Sequence, residues 1–133
     1  MNTIFKMYSC FFIFYILEML SVFDNKNHIF IGHMVGDWNA ELVRAAIGVE
    51  LRASDSQAKC YLDDPNFGRQ CACTIVDAAV ANGVYVIVDW HAHGLHTEAA
   101  VEFFTYMATK YQGVPNVIYE IWNEPSYKDH VNQ

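Results

Sequence analysis

The sequence has little positive charge. Its 133 residues carry 8 Lys and Arg against 15 Asp and Glu, which gives a formal net charge of −7. Nucleic acids are bound mainly through Lys and Arg on their phosphates, so we do not expect nucleic acid as a partner. The four cysteines are too few for a disulfide-stabilised scaffold. The 53% of hydrophobic residues excludes a disordered chain and predicts one packed domain.

A long hydrophobic run is also missing. The longest one, residues 7–17, is interrupted by Glu18 and is shorter than the roughly 18–20 residues of a membrane span. Stable membrane insertion is therefore not expected. The run has the length of a secretory signal-peptide core, while a hydrophobic first helix and a joining artefact are the alternatives. We predict a hydrophobic N-terminal segment over 1–23, a linker or divergent segment over 24–36, and the folded domain over 37–133.

Strand and helix patterns alternate in the rest of the chain. The pattern predicts three strands, over residues 41–49, 84–90 and 116–122. It predicts helices over residues 70–81 and 97–111, and a long loop that includes residues 54–59 and 63–68. Thr97 is the predicted N-cap of the second helix. The apolar face predicted for that helix comprises Val101, Phe104, Met107, Ala108 and Tyr111. Such alternation predicts an α/β fold with a parallel sheet. A complete (β/α)₈ barrel needs about 200 residues, so the chain can hold only part of one.

Polar residues follow two of these strands directly, where parallel α/β folds bind their ligands. Glu124 comes after the third strand, beside aromatic rings that raise the pKa of a carboxyl by desolvation. A neutral carboxylic acid can protonate a leaving oxygen, as in glycoside hydrolysis. Asn123 could bind a sugar hydroxyl, and Trp90 and Trp122 could stack on sugar rings. The alternative is that Asn-Glu-Pro is an ordinary turn.

Arg44 lies inside the first apolar strand. A buried arginine is costly unless it is paired with an anion. One interpretation is a purely structural pair with Asp89 or Glu120. The other is that Arg44 holds an active-site carboxylate in its ionised form. The sequence leaves both open.

Three histidines, His91, His93 and His96, follow the second strand. A His-x-His pair at a strand end could bind a metal, as in zinc hydrolases. No second set of ligands stands at another strand end, and a neutral histidine can equally bind a sugar hydroxyl. A metal site is therefore the less favoured hypothesis, and we predict no metal and no cofactor.

Three cysteines, Cys60, Cys71 and Cys73, do not have the spacing of a zinc ribbon. In a secreted protein Cys60 could form a disulfide with one of the other two. Otherwise they are expected to be small buried hydrophobic residues.

Taken together, three stretches resemble glycoside hydrolase family 5, and the endo-β-1,4-glucanases (cellulases) in particular. They are DWNAELVRAAIGVE, VYVIVDWHAHG and EAAVEFFTYMATKYQGVPNVIYEIWNEPSY, within residues 37–127. The resemblance implies a (β/α)₈ barrel, of which this chain holds roughly strands 2–4 with their helices. It also implies a secreted enzyme that hydrolyses O-glycosyl bonds of a polysaccharide, β-1,4-glucan, by a retaining mechanism without metal.

The resemblance also implies a role for individual residues. Glu124 matches the general acid/base of the family, and Asn123 matches the neighbour that contacts the sugar 2-hydroxyl. His91 matches an active-site histidine, and Arg44 matches the arginine that supports the nucleophile. With Trp90 and Trp122, His93 is a candidate for substrate binding.

The chain also departs from the family pattern. The region before Arg44 does not resemble the family's first strand and helix, and no residue matches the nucleophilic glutamate. A retaining enzyme needs two carboxyls about 5–5.5 Å apart. We therefore expect an incomplete and inactive fragment of an endoglucanase. The alternatives are a non-catalytic glycan-binding remnant and a metal-dependent barrel hydrolase that uses His91 and His93.

Overall fold

The computed structural model describes residues 26–50 and 59–123. The elements in this part of the chain are α1 (Lys26–Trp38), β1 (Leu42–Gly48), α2 (Pro65–Ala81), β2 (Tyr85–His91), α3 (Thr97–Lys110) and β3 (Val117–Glu120). The strands form a parallel sheet in the order β1-β2-β3. The predicted α/β class is thus confirmed, with two consecutive β-α-β units whose strands lie side by side.

The sheet has two different faces, because successive side chains of a strand point in opposite directions. Val43 is in register with Val86, and Val86 with Val117, on the face that the helices cover. Arg44 is in register with Ile87 on the opposite face. Core packing therefore occupies one face, and the polar residues within the strands occupy the other.

The helix α2 begins earlier than predicted. Asp64 caps it, since its side chain accepts a hydrogen bond from the backbone N–H of Phe67 at 3.1 Å, and Pro65 occupies the first turn. The prediction of a loop over 63–68 was wrong for this reason. Residues 51–58 lie outside the described part, so the rest of the predicted loop is not tested.

The predicted face of α3 is partly wrong. Phe103 and Met107 are its buried residues, whereas Val101 is 61% exposed. The N-cap position is taken by His96, in a left-handed conformation with φ of 44°, and the predicted cap Thr97 is the first helical residue. The apolar stripe is thus centred one residue away from the predicted one.

The segment before β1 is a helix where we expected a linker or divergent segment. Helix α1 extends to Trp38, and its residues Ile31 and Met34 are buried in the core shared with α2 and the sheet. The hydrophobic segment 1–23 lies outside the described residues. Within the residues described, no helix is both long enough and apolar enough to cross a membrane.

Candidate active site

Arg44 is the centre of a polar cluster on the face of the sheet opposite the helices. Its Nε donates to Glu120 Oε2 at 2.9 Å and its Nη2 donates to Glu120 Oε1 at 2.8 Å, a two-pronged contact. The same Nη2 lies 3.1 Å from Asp89 Oδ2. Both partners that the sequence suggested for this arginine therefore contact it, and they come from neighbouring strands.

Asp89 joins Arg44 to His91. It is completely buried, and its Oδ2 accepts a hydrogen bond from Nδ1 of His91 at 2.8 Å. Burial raises the pKa of Asp89 above its usual range, although the hydrogen bond from His91 and the charge of Arg44 act in the opposite direction. The sequence indicated Asp89 only as a structural partner of Arg44 and did not predict its contact with His91.

Asn123 belongs to the same cluster. Its Oδ1 accepts a hydrogen bond from Arg44 Nη2, and its backbone N–H donates to the carbonyl of Trp90 at 3.3 Å. These two contacts hold the chain after β3 beside the end of β2. Three of the residues predicted from separate strands, Arg44, His91 and Asn123, are thus brought together.

Glu124, the predicted general acid/base, lies outside the described residues. It follows Asn123 directly in the sequence, and Arg44 donates a hydrogen bond to Asn123. Its role stays a prediction.

Trp90 does not occupy the position predicted for a sugar-binding ring. It is fully buried on the helix-covered face, where its ring centroid lies 5.0 Å from that of Tyr61 and 5.3 Å from that of Phe103. The reason is the alternation of β2, which turns Asp89 and His91 to one face and the residue between them to the other. The prediction that Trp90 binds substrate was therefore wrong.

The other two candidates for substrate binding lie near the ends of the strands. Trp122 is half-buried and immediately precedes Asn123, and His93 is exposed in the loop after β2. Their roles in substrate binding stay predictions.

A second polar cluster holds the loop between β2 and α3. One oxygen of Glu50 accepts hydrogen bonds from the backbone N–H groups of His93 at 2.7 Å and Gly94 at 3.1 Å, and the other lies 2.8 Å from His96 Nε2. Burial raises the pKa of Glu50, but these hydrogen bonds outweigh it and lower the pKa to about 2. Glu50 was not among the predicted site residues, although it too is a polar residue just after an apolar strand.

The three histidines of the metal hypothesis have separate contacts. His91 contacts Asp89, and His96 contacts Glu50. Among the described residues, no group of three or more His, Cys, Asp or Glu side chains could hold a metal ion. The cysteines at 60, 71 and 73 are buried with free thiols, and burial raises the pKa of Cys71 to about 11.

The model of the family described as cellulase (glycosyl hydrolase family 5) matches residues 11–133. The chain belongs to glycosyl hydrolase family 5. Among curated proteins, Endoglucanase Z of Dickeya dadantii is 44% identical over 91 residues, which cover 67% of this chain and 20% of the relative. Endoglucanase A of Evansella cellulosilytica is 37% identical over 95 residues, which cover 68% of this chain and 18% of the relative.

Solved structures agree with this family 5 assignment. A structure from Cytophaga hutchinsonii superposes with a TM-score of 0.66 at 37% identity, covering 77% of this chain and 33% of that one. Endoglucanase Cel5A of Thermobifida fusca, as a variant in complex with cellotetraose, gives 0.62 at 28% identity, covering 81% and 34%. Of the two curated endoglucanases named above, the chain spans about a fifth of the length. Its parallel sheet and helices match a part of the family's barrel.

Proposed function

We propose that this chain is the part of a retaining endo-β-1,4-glucanase that carries the general acid/base, and that the whole protein hydrolyses O-glycosyl bonds in β-1,4-glucan. The observation that carries the proposal is the Arg44 cluster. It joins Asn123, and through Asp89 also His91, on one face at the carboxyl ends of parallel strands. In such folds the ligand binds at that edge. Membership of family 5 and relatives named endoglucanases support the substrate class.

In this mechanism Glu124 donates its proton to the glycosidic oxygen while a second carboxylate attacks the sugar carbon. Glu124 then takes a proton from the water that hydrolyses the glycosyl-enzyme. Arg44 fixes Asn123, so the residue that binds a sugar hydroxyl is held next to the proton donor. We assign the attacking carboxylate to no residue of this chain, since none of its residues matches the nucleophilic glutamate of the family.

Joining the chain to the rest of the Endoglucanase Z barrel provides a test. We expect the fusion to hydrolyse carboxymethylcellulose. We expect Glu124→Gln to lower its kcat by at least about 100-fold, because general acid catalysis contributes about 10²–10⁴. The matched control is Glu98→Gln, an exposed glutamate in the first turn of α3, which should leave kcat unchanged.

The 133 residues alone should show no turnover, because they supply only one of the two carboxyls. Hydrolysis by the isolated chain that is lost in Glu124→Gln would contradict this part of the proposal. Full activity of the Glu124→Gln fusion would contradict the assignment of the acid/base itself.

Neither alternative function gains support from the described residues. A glycan-binding remnant would have to bind through Trp122 alone of the two predicted tryptophans, because Trp90 is fully buried. A metal-dependent hydrolase would need a third ligand beside His91 and His93, and the described part of the chain contains no such group.

We also propose that the protein is secreted. The apolar run 7–17 has the length of a signal-peptide core, and a polymeric glucan is too large to enter a cell intact. N-terminal sequencing of the protein recovered from its native host should show a chain from which this run has been removed. An intact N-terminus on protein retained in the cell would contradict the proposal.

A further inference from the structure

Asp89 is an unusual residue for the middle of a buried strand. Among the described positions, it is the one charged residue that is buried. Only its Oδ2 is engaged, and its Oδ1 has no hydrogen-bond partner in the part of the chain that the structure describes. A buried carboxylate with one oxygen unsatisfied is costly, so its position calls for an explanation.

The engaged oxygen makes two contacts. His91 Nδ1 lies 2.8 Å from Oδ2, and Arg44 Nη2 lies 3.1 Å from the same atom. An ionised carboxylate can only accept hydrogen bonds, so Nδ1 of His91 must carry the proton of this bond. When the imidazole is neutral, its Nε2 then carries the lone pair and can accept a hydrogen bond.

We propose that Asp89 is a positioning residue that holds His91 in the Nδ1–H tautomer and, through the same oxygen, sets the orientation of Arg44. One buried carboxylate thus fixes two residues of the candidate active site. The part that this plays in catalysis rests on the proposed function. The tautomer itself is a property of this chain and can be measured without any activity.

Burial distinguishes this contact from a surface ion pair. His33 Nδ1 makes the same kind of contact with Asp37 Oδ2, at 2.9 Å. Those side chains are 68% and 66% exposed, whereas His91 and Asp89 are 14% and 0% exposed. Water competes for the exposed pair, so we expect it not to hold one tautomer, whereas the carboxylate of Asp89 has no access to water. The chain therefore contains its own control.

The experiment uses the 133-residue chain labelled with ¹⁵N in its histidines, and long-range ¹H–¹⁵N correlation spectra recorded where the imidazoles are neutral. His91→Gln identifies the signals of His91. Asp89→Leu removes the acceptor while keeping a side chain of similar size, and Asp37→Leu is the matched change at the exposed pair. Circular dichroism checks that both variants are folded.

We expect a protonated Nδ1 in His91 of the unchanged chain and of Asp37→Leu, and loss of that signal in Asp89→Leu. His33 should show tautomers in exchange in the unchanged chain. A protonated Nε2 with a bare Nδ1 in His91 of the unchanged chain would overturn the proposal, and so would an unaltered His91 signal in folded Asp89→Leu. If Asp89→Leu does not fold, the protonation of Nδ1 or Nε2 in His91 of the unchanged chain by itself supports or overturns the proposal. Hydrolysis by the Glu124 fusions is a separate readout, so failure of the proposed function would be distinguishable.

Discussion

At the scale of single residues, the candidate site depends on one arginine. Arg44 contacts Glu120, Asp89 and Asn123, which come from two other strands and the segment after β3. The contacts agree with the first interpretation, a structural pair with Asp89 or Glu120. The second, that Arg44 keeps an active-site carboxylate ionised, stays a prediction. The positive charge of Arg44 compensates the negative charge of Asp89, which has no access to water.

Replacing Arg44 tests this dependence. We expect Arg44→Met to lower the free energy of unfolding by about 3 kcal/mol, because it leaves Asp89 buried beside Glu120 without a cation. Urea unfolding of the isolated chain measures the change. The matched control is Glu102→Gln, which removes the charge of a 63% exposed partner of Arg69 and should cost less than about 1 kcal/mol. Equal effects of the two changes would show that burial of the Arg44 pair is irrelevant.

At the scale of elements, the loop between β2 and α3 is held by a residue at the end of β1. Glu50 accepts from two successive backbone N–H groups and pairs with His96. His96 therefore takes the N-cap position of α3 without making the usual side-chain cap. The loop that follows His91 is thus held by a residue that follows the neighbouring strand β1.

The low pKa of Glu50 predicts a particular dependence of stability on pH. The carboxyl titrates near 4.5 when free and near 2 in the folded chain. Its contribution is therefore complete above pH 4.5 and is lost as the pH falls towards 2. Because the side chain is a third exposed, we expect a contribution of only about 1 kcal/mol.

Urea unfolding of the unchanged chain and of Glu50→Gln at a series of pH values measures that contribution. Their difference should be largest near neutral pH and should shrink as the solution is acidified below pH 4.5. The control Glu98→Gln should keep the acid dependence of the unchanged chain. A difference for Glu50→Gln that is constant with pH would contradict the assignment.

The sequence predicted the order and type of these elements because hydrophobic periodicity is a local signal. It placed the start of α2 too late, although Asp64 followed by Pro65 is a cap and first-turn signature that was present. It could not predict the contact of Glu50 with the loop, since the two are 43 residues apart and meet only through strand pairing. Contacts between strands depend on register, which a single strand does not encode.

At the scale of the whole molecule, the two faces of the sheet carry different kinds of residues. The face covered by helices carries the apolar core, including an aromatic group of Tyr61, Trp90 and Phe103. The opposite face carries Arg44 and Asp89. The position of Trp90 follows from the strand alternation that also places Asp89 and His91. Applied within the Asp-Trp-His motif, that alternation would have assigned the tryptophan to the core.

This division predicts unequal costs for truncating apolar side chains on the two faces. Trp90→Ala should lower the free energy of unfolding by about 3–5 kcal/mol, because it removes a fully buried ring and leaves a cavity against Tyr61 and Phe103. Ile118→Ala is the matched change on the opposite face, where the side chain is 46% exposed. It should cost about 1 kcal/mol, because only part of the side chain leaves contact with the protein. Urea unfolding of both variants measures the difference. A cost of Trp90→Ala no greater than that of Ile118→Ala would contradict the burial of Trp90, and the ring would again be a candidate to stack on sugars.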